Sequence, residues 1–157
     1  MTDRNAAFGM FSLERIYPHA PAKVFRAFAD PDAKTAWFAN SDQWTRLERE
    51  MDFRVGGREL LSGRWPNGMV SSFDCTYLDI VPDERIVFSY VMHLDDVMIS
   101  LSLTTIEFKP APTGTRLVFT EQDVFVDGFE DKGGREHGSG DLLDRLAKGL
   151  DAMTAPA

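Results

Sequence analysis

The sequence predicts an α+β fold, a seven-stranded antiparallel sheet packed on one long C-terminal helix. Three observations carry this. From about residue 44 to 125 there is no helical period; β-branched and aromatic runs alternate with turn signals. The tail DLLDRLAKGLDAM sets Leu142, Leu143, Leu146, Leu150 and Met153 on one helical stripe. Two short helical stretches separate the first strand from the rest.

Phe8 to Tyr17 reads as the first strand, with Phe11, Leu13, Ile16 and Tyr17 among its apolar members, and Pro18 stops it. Pro21 suits a first helical turn, where its missing N–H costs nothing; Val24, Phe25 and Phe28 follow at helical spacing. Asp30-Pro31 breaks that helix, because the residue before a proline avoids the α region. Asp30 then caps a second short helix, PDAKTAWF. Further strands are expected at about 44–54, 57–65, 70–80, 85–94, 97–109 and 114–125. Turns at WPNG (65–68), VPDER (81–85), HLDD (93–96) and PAPTG (110–114) join them into an antiparallel meander. GGREHGSG reads as a loop, Asp141 as the N-cap or first-turn acid of the last helix, and TAPA as a frayed end. A twisted sheet curling round a helix does not close tightly everywhere. A cavity is therefore expected between the helices and the concave face.

The 157 residues suit one domain over 1–157. Twelve Phe, three Trp and three Tyr supply enough aromatic volume for a core and a cavity lining. The net charge of −8 repels phosphate backbones and anionic bilayers, so neither nucleic acid nor a membrane is an expected partner. The chain lacks an apolar run of the about 18 residues that a spanning helix needs. The N-terminus MTDRNAAFGMF does not have the form of a signal peptide. The single Cys75 excludes an internal disulfide, and a cytoplasmic location is expected.

Gly56-Gly57, in MDFRVGGREL, raises the question of a phosphate loop. Neither GxxxxGK[ST] nor GxGxxG occurs, and strand-like residues follow, so a two-residue hairpin turn is expected. That turn would bring Asp52 and Arg58 near each other. His19, His93 and His137 form no HxxxH or HxH pair, and no metal site is expected. His93 with Asp95 and Asp96 reads as a solvated turn. Cys75 lies mid-strand between Phe73 and Tyr77 without a local base, and reads as a small buried hydrophobe. Ser62, Ser71, Ser72, Ser100 and Ser102 lie in no G-x-S-x-G elbow.

In TRLVFTEQ, strand alternation puts Leu117, Phe119 and Glu121 on one face. If that face is concave, Glu121 enters the cavity and needs a partner or a proton; Arg54, Arg58 or a ligand group could serve. A bulge turning it outward, or a bond to nearby backbone, is the other reading. Trp37, Phe38, Trp44 and Trp65 either line the cavity or pack the core. Ligand pockets are themselves mainly apolar, so the two roles look alike in sequence.

Five segments in order, RIYPHAPAKVFRAFADPDAKTAWF (15–38), DFRVGGRE (52–59), YLDIVPDERIVFSYVM (77–92), TGTRLVFTEQ (113–122) and HGSGDLLDRLAKGL (137–150), carry a family resemblance. The chain resembles the bacterial single-domain proteins related to the C-terminal domain of the Hsp90 ATPase activator, the AHSA1-like group of the START-like, or SRPBCC, superfamily. The resemblance implies a helix-grip fold with an internal cavity. It also implies a choice of functions, since START-like members bind lipids, hormones or polyketides and some are cyclases or hydrolases. Many relatives carry a tryptophan just before the last helix, where this chain has Ser139-Gly140-Asp141, so a different cavity mouth is implied.

The leading expectation is a non-catalytic domain that holds a small hydrophobic or amphipathic molecule and needs no cofactor. Residues chosen for expected facing as cavity contacts are Trp37, Phe38, Trp65, Phe73, Cys75, Phe88, Tyr90, Leu101, Phe119, Glu121, Leu143 and Leu146. Two alternatives stand beside it. One is an interaction protein that modulates an Hsp90-type chaperone; the other is a polyketide-type cyclase or hydrolase using Glu121 as acid or base. Unpaired edge strands leave a homodimer open.

Overall fold

The structure, a computed structural model, describes residues 4–153; the TAPA tail lies outside them. Strand β1 (Ala6–Tyr17) is followed by helices α1 (Pro21–Ala29) and α2 (Pro31–Phe38). Then come β2 (Thr45–Met51), β3 (Arg58–Arg64), β4 (Val70–Val81), β5 (Arg85–Leu94), β6 (Val97–Ala111) and β7 (Gly114–Val126), and α3 (Gly134–Ala152) closes the fold. One antiparallel sheet runs in the order β1-β7-β6-β5-β4-β3-β2. Strands β2 to β7 are the expected meander. β1 pairs with β7 along its whole length, from Ala6 opposite Val126 to Tyr17 opposite Thr115. This is the sheet-on-helix order that the residues predict and the helix-grip fold that the resemblance implies.

The helical layer forms as its local signals require. Pro21 sits in the first turn of α1, whose Val24, Phe25 and Phe28 face the core. The Asp30 side chain accepts from the Asp32 N–H at 3.2 Å and so caps α2. Phe108 receives the edges of Phe25 and Phe28 at centroid distances of 5.5 and 5.6 Å. Trp37 packs edge-on to Phe28 and donates its Nε1–H to the Ala27 carbonyl at 3.0 Å. Leu143, Leu146 and Leu150 bury α3 against this layer. Each fully buried leucine contributes about 1.5–3 kcal/mol, which holds the helix down. The Tyr17 hydroxyl adds a bond of 2.8 Å to the Leu143 carbonyl.

Two expectations are corrected. Helix α3 begins at Gly134, not near Asp141. GGREHGSG therefore supplies its first turns, and His137 is helical. Gly133 stands just before it with φ 93°, and the Asp131 carboxylate accepts from the Arg135 N–H at 3.0 Å, in place of the Asp141 cap. The β2–β3 connection spans 52–57 rather than two residues. Gly56 takes φ 83°, and a side chain on Gly57 would place its Cβ 2.1 Å from the Asp52 carbonyl oxygen. The turn docks on β4 through Gly56 N–H to Tyr77 O (2.8 Å) and Tyr77 N–H to Gly57 O (3.0 Å). The Asp52 and Arg58 side chains do not meet; Asp52 pairs with Arg54 and Arg58 with Asp74.

Beside this turn a buried charge joins helices to sheet. Glu59 on β3 is fully buried. Its Oε1 accepts from Lys34 Nζ of α2 at 2.5 Å and from the Tyr77 hydroxyl of β4; its Oε2 accepts from Arg49 of β2 at 2.7 Å. Burial alone would raise the Glu59 pKa, but Lys34 and Arg49 hold it below its ordinary value of 4.5. A carboxyl lowered by folding contributes stability that is present above its unfolded pKa and lost as pH falls through the folded value. Glu59→Gln strands Lys34 and Arg49 without a counter-charge. The expected loss is about 3–5 kcal/mol, read as a lower urea midpoint at neutral pH, with the difference from the parent shrinking below about pH 4.

Candidate ligand cavity

The concave face, α2 and the N-terminal half of α3 border a cavity of about 510 Å³ that opens to solvent. Phe88, Tyr90, Ile106 and Phe119 form its floor; Trp44, Leu61, Trp65, Phe73 and Met92 its β2–β5 side. Helix α2 adds Lys34, Trp37 and Phe38, and α3 adds Arg135, Gly138, Ser139, Leu142 and Leu143. The wall is mostly aromatic. Phe73 stacks obliquely on Tyr90 at 4.9 Å and meets the edge of Phe38 at 5.3 Å.

Ionisable groups break this lining toward both ends. At one end Lys34, held by Glu59, lies 4.6 Å from the Phe38 ring centroid. At the other end stands Glu121, 1% exposed. Its Oε1 accepts from the Tyr90 hydroxyl at 2.8 Å and the Thr104 hydroxyl at 2.9 Å. Among the described residues, Glu121 Oε2 is the buried side-chain polar atom without a hydrogen-bond partner. Arg135 lies 3.7 Å from that oxygen. The guanidinium donates to the Tyr90, Ser102 and Ser100 hydroxyls and to Asp123 Oδ1 at 3.4 Å. Two carboxylates thus share one guanidinium. Burial first, and then the neighbouring Asp123, pushes the Glu121 pKa up to about 8, against the pull of Tyr90 and Arg135. Glu121 is mainly neutral at pH 7.

Of the residues chosen from sequence, Trp37, Phe38, Trp65, Phe73, Phe88, Tyr90, Phe119, Glu121 and Leu143 lie on the cavity wall. Cys75 and Leu146 are buried in the core instead. Burial raises the Cys75 thiol to about 12. Leu101 is corrected outright: it is 39% exposed, on the convex face. β6 turns Ser100, Ser102 and Thr104 inward, where they serve Arg135, Asp123 and Glu121, and its leucines outward. The partner of Glu121 is likewise neither Arg54, in the β2–β3 connection, nor Arg58, at the start of β3; both side chains are exposed. It is Arg135, hidden in the segment read as a loop. The signal was available, because Arg135, Ser139, Leu142, Leu146 and Leu150 continue the helical stripe backward. Lys34 was also missed, and lies one helical turn before Trp37 and Phe38.

The Glu121 carboxyl is raised by folding, so it contributes stability that is full below its ordinary value of 4.5 and lost as pH rises through about 8. Glu121→Gln keeps the shape and removes the titration. The variant is expected to match the parent at about pH 5 and to exceed it at about pH 9 by on the order of a few kcal/mol in urea unfolding. An unchanged difference across that range would show that Glu121 titrates normally.

No curated protein matches the chain. An uncharacterised protein of Rhizobium leguminosarum has a solved structure similar to it, with 41% identity, TM-score 0.93 and coverage of 97% of this chain and 100% of that one. A protein of Rhizobium loti is 42% identical, with TM-score 0.86 and coverage of 92% and 99%. The AHSA1-like protein of Aeromonas hydrophila, 22% identical, shares the fold with TM-score 0.65 over 95% of this chain and 100% of its own. The family model described as "Activator of Hsp90 ATPase homolog 1-like protein" matches residues 18–151. A match over that much of the chain settles its kinship: the protein is a member of the activator of Hsp90 ATPase homolog 1-like family.

Proposed function

We propose that the protein binds a small apolar or amphipathic molecule in the cavity between sheet and α3, and does no chemistry on it. The observation that carries the reading is the cavity itself, about 510 Å³, walled by aromatic rings with a few placed polar groups. That volume falls within the roughly 300–1,000 Å³ of small-molecule sites, and the lining has their composition. The core thiol, Cys75, lies off the wall with a raised pKa, which does not suit a nucleophile.

One observation favours a second reading. A carboxyl with its pKa near 8, set in a cleft, has the property of a general acid. On that reading the domain acts on a polyketide-like substrate and Glu121 supplies the proton. Loss of turnover in Glu121→Gln, once a substrate is in hand, would favour it over binding alone.

The binding reading is tested by native mass spectrometry of the purified chain and by the fluorescence of N-phenyl-1-naphthylamine. A co-purifying small molecule, or enhanced dye fluorescence that saturates, is expected. Gly138 lines the cavity, and a Cβ built there meets nothing within 4 Å. Gly138 is exposed, so Gly138→Phe sets a ring at the mouth of the cavity, on a helix that tolerates the substitution. It should weaken dye binding about tenfold or more, by steric exclusion, while leaving thermal stability equal or higher. Dye binding unaffected by this variant would place the dye elsewhere and count against the cavity.

A further inference from the structure

We propose that two copies of this chain pair edge to edge along β1, antiparallel about a two-fold axis at Gly9, so that the sheet of one continues into the other. The inference is independent of the cavity and of any ligand in it.

The sheet ends in β1 on one side and β2 on the other, and the two edges differ. β2 carries Arg46, Glu48, Arg49 and Glu50 in seven residues, and a register shift between Arg46 and Glu48 breaks its line. Charges and bulges are the usual protection of an exposed edge. β1 is 12 residues long, and its stretch from Ala6 to Leu13, AAFGMFSL, has no charge, no proline and no register shift. Phe8 is 80% exposed and Met10 is 69% exposed. On the convex face Val124 lies opposite Phe8 and Leu101 opposite Val124, so the apolar row runs inward from the edge over three strands.

The backbone of β1 sets the register. Asp127 N–H bonds to the Asn5 carbonyl at 3.1 Å, so the odd-numbered residues bond to β7 and the even-numbered ones turn N–H and C=O outward. The outward run ends at Glu14, whose carbonyl accepts from the Arg15 guanidinium at 2.9 Å. Ala6, Phe8, Met10 and Ser12 remain, and Gly9 is their midpoint. A two-fold axis there sets Phe8 opposite Met10 of the second copy and Ala6 opposite its Ser12, which pairs the outward groups and the apolar side chains together. The same axis sets Arg4, with its side chain 85% exposed, opposite Glu14, with its side chain 58% exposed. An axis at Met10 would leave Glu14 opposite Ala6, and one at Phe8 would set Arg4 opposite Ser12. The net charge of −8 on each copy opposes association at long range, and about 0.15 M salt screens it beyond about 8 Å. Pairing uses the β1 edge of both copies and leaves the charged β2 edges outside, so assembly closes at two chains.

Sedimentation velocity of the full chain, at about 5–100 µM in about 0.15 M salt, reads the mass, and a concentration-dependent dimer is expected. Met10→Pro removes an N–H that faces away from β7, a position at which an edge strand accepts proline. It should weaken dimerisation about tenfold or more while the near-ultraviolet circular dichroism of the fold is kept. Gly9→Cys sets two thiols across the axis, where a disulfide needs a Cα separation of about 4.4–6.8 Å. A Cβ at Gly9 meets only Phe125 Cε2, at 3.5 Å. With oxidised glutathione this variant should form a covalent dimer. Ala7→Cys, which would stand opposite Phe11 of the second copy, should not, and the native Cys75 is buried. A monomer at every concentration, assembly beyond two chains, a dimer untouched by Met10→Pro, or cross-linking as ready in Ala7→Cys as in Gly9→Cys would each overturn the proposal. If Met10→Pro does not fold, the two cysteine variants decide.

Discussion

A carboxylate placed where water cannot reach must be satisfied from within, and Glu59 is satisfied by groups from three other elements. Lys34 comes from α2, Arg49 from β2 and Tyr77 from β4. Each is bound to Glu59 because the alternative is an unpaired buried charge, which costs several kcal/mol. The bonds therefore fix α2 over the β2–β4 half of the sheet. Phe38 and Trp37, carried on α2, are positioned by the same anchor. The width of the cavity at that end follows from a charge cluster behind its wall.

The opposite end is organised differently. At Glu59 cations outnumber the carboxylate, and it stays ionised; at Glu121 two carboxylates share Arg135, and one takes a proton. Glu121, Thr104, Phe88 and Tyr77 occupy one rung across β7, β6, β5 and β4. Three strand spacings of about 4.8 Å separate the first from the last, about 14 Å along the sheet. Between the two polar ends the floor is aromatic. The cavity is thus polar at both ends, with a fixed charge behind one and a titratable proton in the other.

Much of this could be read from the residues alone. Alternation along TRLVFTEQ set Glu121 on the concave face, and the turn residues between 65 and 114 marked the meander, because both signals are local. Leu101 misled because the concave row of β6 is hydroxylic from Ser100 to Thr104, where Leu101 and Leu103 face outward, and turns apolar only at Ile106 and Phe108. Arg135 was hidden because glycines at 133, 134, 138 and 140 mask a helix whose start is set by Asp131 and a left-handed Gly133. Glu59 reads in sequence only as one residue of the strand that follows two glycines. Its partners lie 25, 10 and 18 residues away, and no local pattern reports bonds of that span.

The pairing of β1 with β7 orders the events by which the chain folds. Ala6 finds Val126 only across almost the whole sequence, whereas β2 to β7 can zip by neighbouring hairpins. Closing the longer loop carries the larger entropy cost, and non-local pairing slows folding. During synthesis β1 emerges first and waits, with Phe11, Leu13 and Tyr17 uncovered, until β7 follows. The leucines of α3, which cap the concave face, emerge later still. Transiently exposed apolar strands of this kind are prone to association. The nascent chain therefore carries its greatest aggregation risk while its first strand still lacks its last.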